Sequence, residues 1–435
     1  MTQTKEFINI KTVYLEYTEG CCWRRNLDLE VIKQFFLKNG VEIIRNPKEA
    51  DVIILMTCAF VKRTEDISVN KIKILSADYG EKLVVVGCLS GINMERLREH
   101  FDGVAINTAD IENINKYFPE FTYKFKLTDD SNNLFLQADL KSVNITLLSI
   151  IRYLYFSFNF SGKYFRNLIN NFKKILNAKM GVNRKIYYLR IAWGCAEPHC
   201  TFCVEWKAVG SKEISKPLED CLKEVKNGLQ EGFTHFCIVA DNPGAWGIDI
   251  GKKLPELIKA ILDIDPSIII SNIDGVHPYW IKQYKEDFIN LFKTGRIKSI
   301  MSALQSGSNR ILKLMNRRHS REEYLDIIRE IKNVYPDIIL ITQIIVGFPS
   351  ETFEEFLESV DLVIEAGFTN VLFFPYYCNP CTPAFNYDGK LSDEEKFKRV
   401  KFAFNKIMKQ GILSFNLGIE NHPQHQKVKA LYDHK

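Results

Sequence analysis

Three cysteines stand close together in the segment Gly194-Cys-Ala-Glu-Pro-His-Cys-Thr-Phe-Cys203, just after the apolar run Ile186–Ile191. Thiolates are soft ligands that favour iron–sulfur clusters, zinc or copper(I). Three of them on one loop, Cys195, Cys200 and Cys203, can hold three irons of a [4Fe–4S] cube and leave the fourth iron without a protein ligand. An open metal position is what a catalytic site requires. The competing reading is a zinc site completed by His199. Adjacent residues such as His199 and Cys200 rarely both reach one metal, so the cube is preferred.

A second set of cysteines follows three other strand-like runs. Cys21 and Cys22 come after Lys11–Tyr17, Cys58 after Val52–Met56, and Cys88 after Leu83–Val86. In a parallel sheet the ends of successive strands share one edge. One of Cys21 and Cys22, together with Cys58 and Cys88, would then converge on a second cube with an open iron. Of the remaining cysteines, Cys221 and Cys237 read as core positions. Cys378 and Cys381 form a Cys-Asn-Pro-Cys pair that is more often fortuitous than redox-active or an extra ligand.

The elements that must position these thiols alternate between strand and helix signals. Residues 8–118 read as a small open α/β domain, with short β-branched strands at Asp51–Met56 and Lys82–Val86 and helical patterns at Asp28–Asn39, Leu97–Phe101 and Ile111–Phe118. From 185 to 410 six strand candidates recur: Ile186–Ile191, Thr234–Val239, Ile268–Ser271, Lys298–Ala303, Ile338–Ile345 and Asn370–Pro375. Helical patterns such as Leu218–Glu231, Leu254–Leu262 and Arg321–Val334 lie between them. Six βα units make a partial barrel; a closed one needs eight. Between the two parts, 119–184 reads as a helical insertion or linker. The stretch 141–190 carries ten Lys or Arg, no Asp or Glu, and ten aromatics. That composition can stack bases and contact phosphates, and it can equally form a solvated basic face. Residues 411–435 read as a short tail.

Bulk properties exclude several classes. The 435 residues are 46% hydrophobic and 26% charged, as expected of a globular protein, and the net charge of +5 names no partner. No apolar run is long enough to span a membrane, and the first residues carry no secretory core. Eleven cysteines in such a chain point to metal chemistry in the cytoplasm rather than to a disulfide framework.

The cysteine loop resembles that of radical S-adenosylmethionine (SAM) enzymes, whose usual spacing has three residues between the first two cysteines; here there are four. Later segments resemble the methylthiotransferase branch of that superfamily. These are Gln305-Ser-Gly-Ser308 with Met315-Asn-Arg317, Ile345-Val-Gly-Phe-Pro-Ser-Glu-Thr352, Trp246-Gly-Ile-Asp249, His277-Pro278 and Thr382-Pro-Ala384. Ala50-Asp-Val-Ile-Ile-Leu-Met-Thr-Cys-Ala-Phe60 resembles that branch's amino-terminal domain. There Cys22 keeps the spacing to Asp28 and Glu30, while Cys21 keeps the Gly-Cys pair.

The resemblance implies a fold, cofactors and roles. The fold would be an open parallel-sheet domain joined to a partial (β/α)6 radical SAM barrel. The cofactors would be two [4Fe–4S] clusters and SAM. Cys195, Cys200 and Cys203 would hold the catalytic cluster, and Cys21 or Cys22 with Cys58 and Cys88 the auxiliary one. Phe202 would lie near the adenine, and Asp241, Asn242, Gln305, Ser306, Arg317, Gly347 and Pro349 near SAM. One electron passed to the sulfonium would release a 5′-deoxyadenosyl radical able to abstract hydrogen from an unactivated carbon. The auxiliary cluster would supply sulfur, and a second SAM the methyl group. A reductant such as flavodoxin or ferredoxin and a peptide, protein or RNA substrate are the implied partners. Family members usually end in a small β-barrel that binds substrate, whereas about 25 residues follow the barrel here, which leaves 141–190 as the candidate recognition surface. Two other functions fit the same cysteines: a radical SAM enzyme of natural-product peptide biosynthesis that uses its auxiliary cluster as relay or anchor, and a non-catalytic metal-binding protein.

Overall fold

The computed structural model describes residues 5–130, 186–196 and 200–414. The basic aromatic stretch up to residue 185, residues 197–199 with His199, and the tail from 415 lie outside these. Among the described residues no helix is long and apolar enough to cross a membrane.

The first unit is a five-stranded, fully parallel sheet of β1 (Thr12–Tyr17), β2 (Glu42–Ile44), β3 (Val52–Thr57), β4 (Leu83–Gly87) and β5 (Val104–Asn107), in the order β2-β1-β3-β4-β5. Successive side chains of a strand face opposite sides. Ile54, Met56, Val84 and Val86 therefore enter one core, and Ile53, Leu55, Leu83 and Val85 another. With both faces covered, β3 and β4 are buried along their whole length. The helices are α1 (Trp23–Lys38), α2 (Lys62–Tyr79), α3 (Cys88–Ile92), α4 (Met94–Arg98) and α5 (Ile114–Tyr117). Phe125 and Leu127 are buried in the first core and Phe121 packs against it. The chain just beyond 118, read from sequence as linker, thus completes this unit instead.

The second unit is a seven-stranded sheet ordered β12-β11-β10-β9-β8-β6-β7. Its strands are β6 (Ile186–Trp193), β7 (Ile214–Ser215), β8 (His235–Ala240), β9 (Ile269–Asp274), β10 (Ser299–Met301), β11 (Ile339–Val346) and β12 (Asn370–Pro375). Six are parallel, and β7 runs antiparallel on β6. The sheet ends at β12 and β7 without closing, as a partial barrel does. Residues 186–190 of the basic stretch belong to β6, with Tyr187 and Arg190 buried. The helices α6 (Glu205–Val209), α7 (Leu218–Gln230), α8 (Leu254–Ile264), α9 (Pro278–Gln283), α10 (Lys285–Lys293), α11 (Asn309–Leu314), α12 (Arg321–Val334), α13 (Phe353–Ala366) and α14 (Asp393–Met408) follow in turn. Leu413, read as tail, exchanges backbone hydrogen bonds with Thr369 and Val371 at the β12 edge. Ala208 and Val209 of α6 are buried in the second core of the first unit, which joins the two sheets.

Candidate functional site

The register of the first sheet sets Thr57 opposite Gly87, so Cys58 and Cys88, the next residue of each strand, leave side by side. Gly87 has φ +121°, and a Cβ there would stand 2.4 Å from the Thr57 carbonyl oxygen; only glycine makes this exit. Ser68 of α2 holds the turn from the other side. Its hydroxyl accepts from the Cys58 N–H (3.1 Å), donates to the Cys58 carbonyl (2.7 Å) and lies 3.0 Å from Thr18 Oγ1. Cys21 Sγ is 3.4 Å from Thr18 Oγ1 and donates to the Met56 carbonyl at 3.8 Å. Cys22 is the N-cap of α1.

Charge follows this geometry. A hydrogen bond from the Cys21 thiol, supported by the Phe60 backbone N–H and the Thr64 hydroxyl, outweighs burial and lowers Cys58 to about 6. Burial raises Cys88 despite the Arg25 guanidinium, and the nearby Cys58, Cys22 and Glu205 add to the rise.

The second triad leaves the end of β6. Gly194 has φ +90°, and a Cβ there would meet the Lys212 carbonyl oxygen at 1.8 Å. Cys195 N–H donates to the Gly210 carbonyl, Thr201 N–H to Met315, and Ala384 N–H to Thr201, so the loop is tied to three separate segments. Phe202 packs in a small apolar cluster with Met315, Ile345, Phe348 and Tyr376. Arg317 Nη1 donates to Cys200 Sγ at 3.4 Å. Desolvation, then the Glu205 carboxylate and the other two loop thiols, raise Cys203 well above its ordinary value. The charge of Glu205, at the start of α6, raises Cys203 of one triad and Cys58 and Cys88 of the other, and Cys195 packs against the apolar cluster that holds Cys88, so the two triads are neighbours.

Among the described residues no three His, Cys, Asp or Glu side chains close on one point as they would around a single ion. A cube seats each thiolate on a different iron, so its sulfurs stand further apart than the ligands of one zinc. Iron would deprotonate the thiols that burial keeps neutral.

The other candidate residues divide by what they touch. Gln305 follows β10 in a left-handed conformation (φ +73°), with its buried Oε1 lacking a hydrogen-bond partner among the described residues. Asn242 is buried just after β8. Ser306 takes the Ser308 N–H and lies 3.4 Å from Ser359 Oγ, so it shapes its own turn. Gly347 donates its N–H to Glu351, and a Cβ there would stand 2.3 Å from Lys396 of α14; with the buried Pro349 it forms the turn, and Thr352 and Glu355 complete a capping box on α13. Asp241 has its carboxylate committed to Arg25, Arg190 and the Gly194 N–H. Sequence reasoning missed Arg24, Arg25, Arg190, Trp193 and Glu205; the Arg24-Arg25 pair, one residue beyond Cys22, was the available signal. Cys221 and Cys237 are buried core residues, while Cys381 Sγ donates to the Ile92 carbonyl of α3 at 3.7 Å.

Residues 192–363, which include the three-cysteine loop, match the model of the radical SAM superfamily. Residues 13–109 match the uncharacterized protein family UPF0004. The chain is 30% identical over 407 residues to the ribosomal protein uS12 methylthiotransferase RimO of Carboxydothermus hydrogenoformans, covering 91% of this chain and 82% of that one. It is 28% identical over 401 residues to the tRNA-2-methylthio-N(6)-dimethylallyladenosine synthase of Thermotoga petrophila, covering 89% and 80%. The chain belongs to the radical SAM methylthiotransferase family, and with it come SAM and [4Fe–4S] iron–sulfur chemistry. In fold it is similar to the radical SAM methyltransferase TsrM of Kitasatospora setae, at a TM-score of 0.56 and 13% identity over 86% of this chain and 77% of that one.

Proposed function

We propose that this enzyme uses two [4Fe–4S] clusters to insert sulfur, and with it a methyl group, at an unactivated C–H of a peptide, protein or RNA substrate. The observation that carries the reading is that two thiol triads leave the ends of two sheets as neighbours: Cys195 packs against the apolar cluster that holds Cys88, and Asp241 bonds both Arg25, near Cys22, and the Gly194 N–H, next to Cys195. Cys195, Cys200 and Cys203 hold one cluster, and Cys22, Cys58 and Cys88 the other. Cys22 is preferred over Cys21 because it keeps the family's spacing to Asp28 and Glu30, although the Cys21 thiol lies against Cys58.

With the groups bound, SAM and the clusters supply one-electron bond cleavage and a transferable sulfur, which no side-chain acid or base provides. The residues of the chain bind, orient and exclude water. Arg317 donates to the Cys200 sulfur. Phe202 offers a flat apolar face for an adenine, and Gln305 and Asn242 offer buried polar groups to the rest of SAM. A small one-electron protein such as flavodoxin or ferredoxin would reduce the catalytic cluster. The names of the relatives point to a tRNA adenosine or a ribosomal-protein residue as the substrate class.

Anaerobic reconstitution should give about eight irons per chain, and alanine at all three cysteines of either triad should halve that number. Incubation with SAM, a strong reductant and either substrate class should add the mass of one methylthio group to one of them. Iron for one cube only, or SAM left uncleaved, would overturn the reading. Iron retained in Cys22→Ala but lost in Cys21→Ala would transfer the ligand role to Cys21.

A further inference from the structure

We infer that Asp241 is a positioning residue that fixes the separation of the two cysteine triads, an inference that rests on the two-cluster reading above. The Asp241 side chain is 1% exposed, and both of its oxygens are engaged. Oδ1 faces Arg25 Nη2 at 3.0 Å and Arg24 Nη1 at 3.7 Å. Oδ2 accepts from Arg190 Nη2 at 2.7 Å and from the Gly194 N–H at 3.1 Å. Arg24 and Arg25 follow Cys22 on α1; Gly194 directly precedes Cys195. One carboxylate therefore joins the chain on either side of it to a cysteine of each triad.

A second arm runs parallel to the first. Arg25 Nη1 pairs with Asp28 Oδ2 at 2.9 Å, and Asp28 Oδ1 accepts from Trp193 Nε1 at 3.1 Å. Both arms connect α1 of the first unit to the end of β6 in the second. Apolar contacts also join the units: Trp193 enters the first core, Ala208 and Val209 the second, and Leu27 packs with Cys237 and Val239. Charge-assisted hydrogen bonds are directional and fix distance and angle. A buried ion network adds little net stability, because desolvation offsets attraction; its best-attested use is to specify one arrangement. Burial alone would raise the Asp241 carboxyl, but the guanidinia of Arg190, Arg25 and Arg24 and the Gly194 N–H bring it below its ordinary value, so it stays charged. A sulfur atom passed between two fixed centres requires that spacing; SAM cleavage at one centre does not.

The test needs no substrate. Two reduced clusters held close together broaden each other's electron paramagnetic resonance signals, and the broadening falls steeply with distance. The reduced, fully loaded enzyme should show this interaction. Asp241→Asn should retain the iron of both cubes but lose at least half of the broadening. Arg25→Lys, which keeps the charge and shortens the reach, should do the same, and Asp241→Glu should restore part of it. Should Asp241→Asn fail to fold, the comparison of Arg25→Lys with the unaltered enzyme decides alone. An unchanged interaction in the variants overturns the inference while leaving the two-cluster reading intact. Iron for a single cube in the unaltered enzyme overturns the reading beneath it.

Discussion

Arg317 Nη1 lies 3.4 Å from Cys200 Sγ, and Nη2 of the same guanidinium donates to the Ala303 carbonyl. The backbone contact fixes the fork, so its other arm is aimed at the sulfur. A cation donating to a cluster thiolate stabilises the reduced, more negative cluster over the oxidised one. If the differential is about 1.4 kcal/mol, as for one charge-assisted bond, a one-electron potential moves by about 59 mV. Arg317→Ala should therefore lower the potential of the catalytic cluster by roughly that amount, and Arg317→Lys by less. Redox titration followed by electron paramagnetic resonance measures it; a potential unmoved in Arg317→Ala would remove this role.

Much of this site was readable because its chemistry is local in sequence. Cys195, Cys200 and Cys203 share one loop, and Cys58 and Cys88 each follow a strand whose uniform apolar character marks full burial. All six parallel strands of the second sheet were expected for the same reason. Three short strands were missed: β2 exposes Glu42, β5 is four residues long, and β7 only two. The start of α1 at Trp23 was placed five residues late because its cap, Cys22, makes no side-chain capping bond. The ionic network was illegible for a different reason. Arg25 and Asp241 lie 216 positions apart, and nothing in the spacing of either shows that both are buried. Their pairing follows only from how the two sheets dock.

Gly194 offers a test of the catalytic loop that leaves every thiol in place. Alanine at φ +90° is strained, and its Cβ would meet the Lys212 carbonyl oxygen at 1.8 Å, a clash with backbone rather than with a movable side chain. Relief requires the strand end or the Cys195 turn to shift. Gly194→Ala should lose the cluster of that loop, and so about half of the bound iron, and abolish SAM cleavage while the other cluster's spectrum persists. Full iron content in the variant would show that the loop tolerates the shift.

His277 and His319 predict an acid sensitivity separate from that of the clusters. Their rings pack edge to face with centroids 5.8 Å apart. Burial first, then Arg317, lowers His319 to about 3, and burial with Arg317, His319 and Arg318 lowers His277 well below its ordinary value. Each binds a proton more readily in the unfolded chain, so the stability they permit is complete above about pH 6.5 and is lost as pH falls toward the folded value. For His319 that loss amounts to about 2 kcal/mol by pH 5. In His319→Asn the drop in unfolding midpoint between pH 7 and pH 5 should shrink accordingly. Comparison with the unaltered enzyme under the same anaerobic conditions cancels the acid lability of the clusters, which both proteins share. Equal drops in the two proteins would mean that the ring is protonated without cost, and that His319 is not held neutral by the fold.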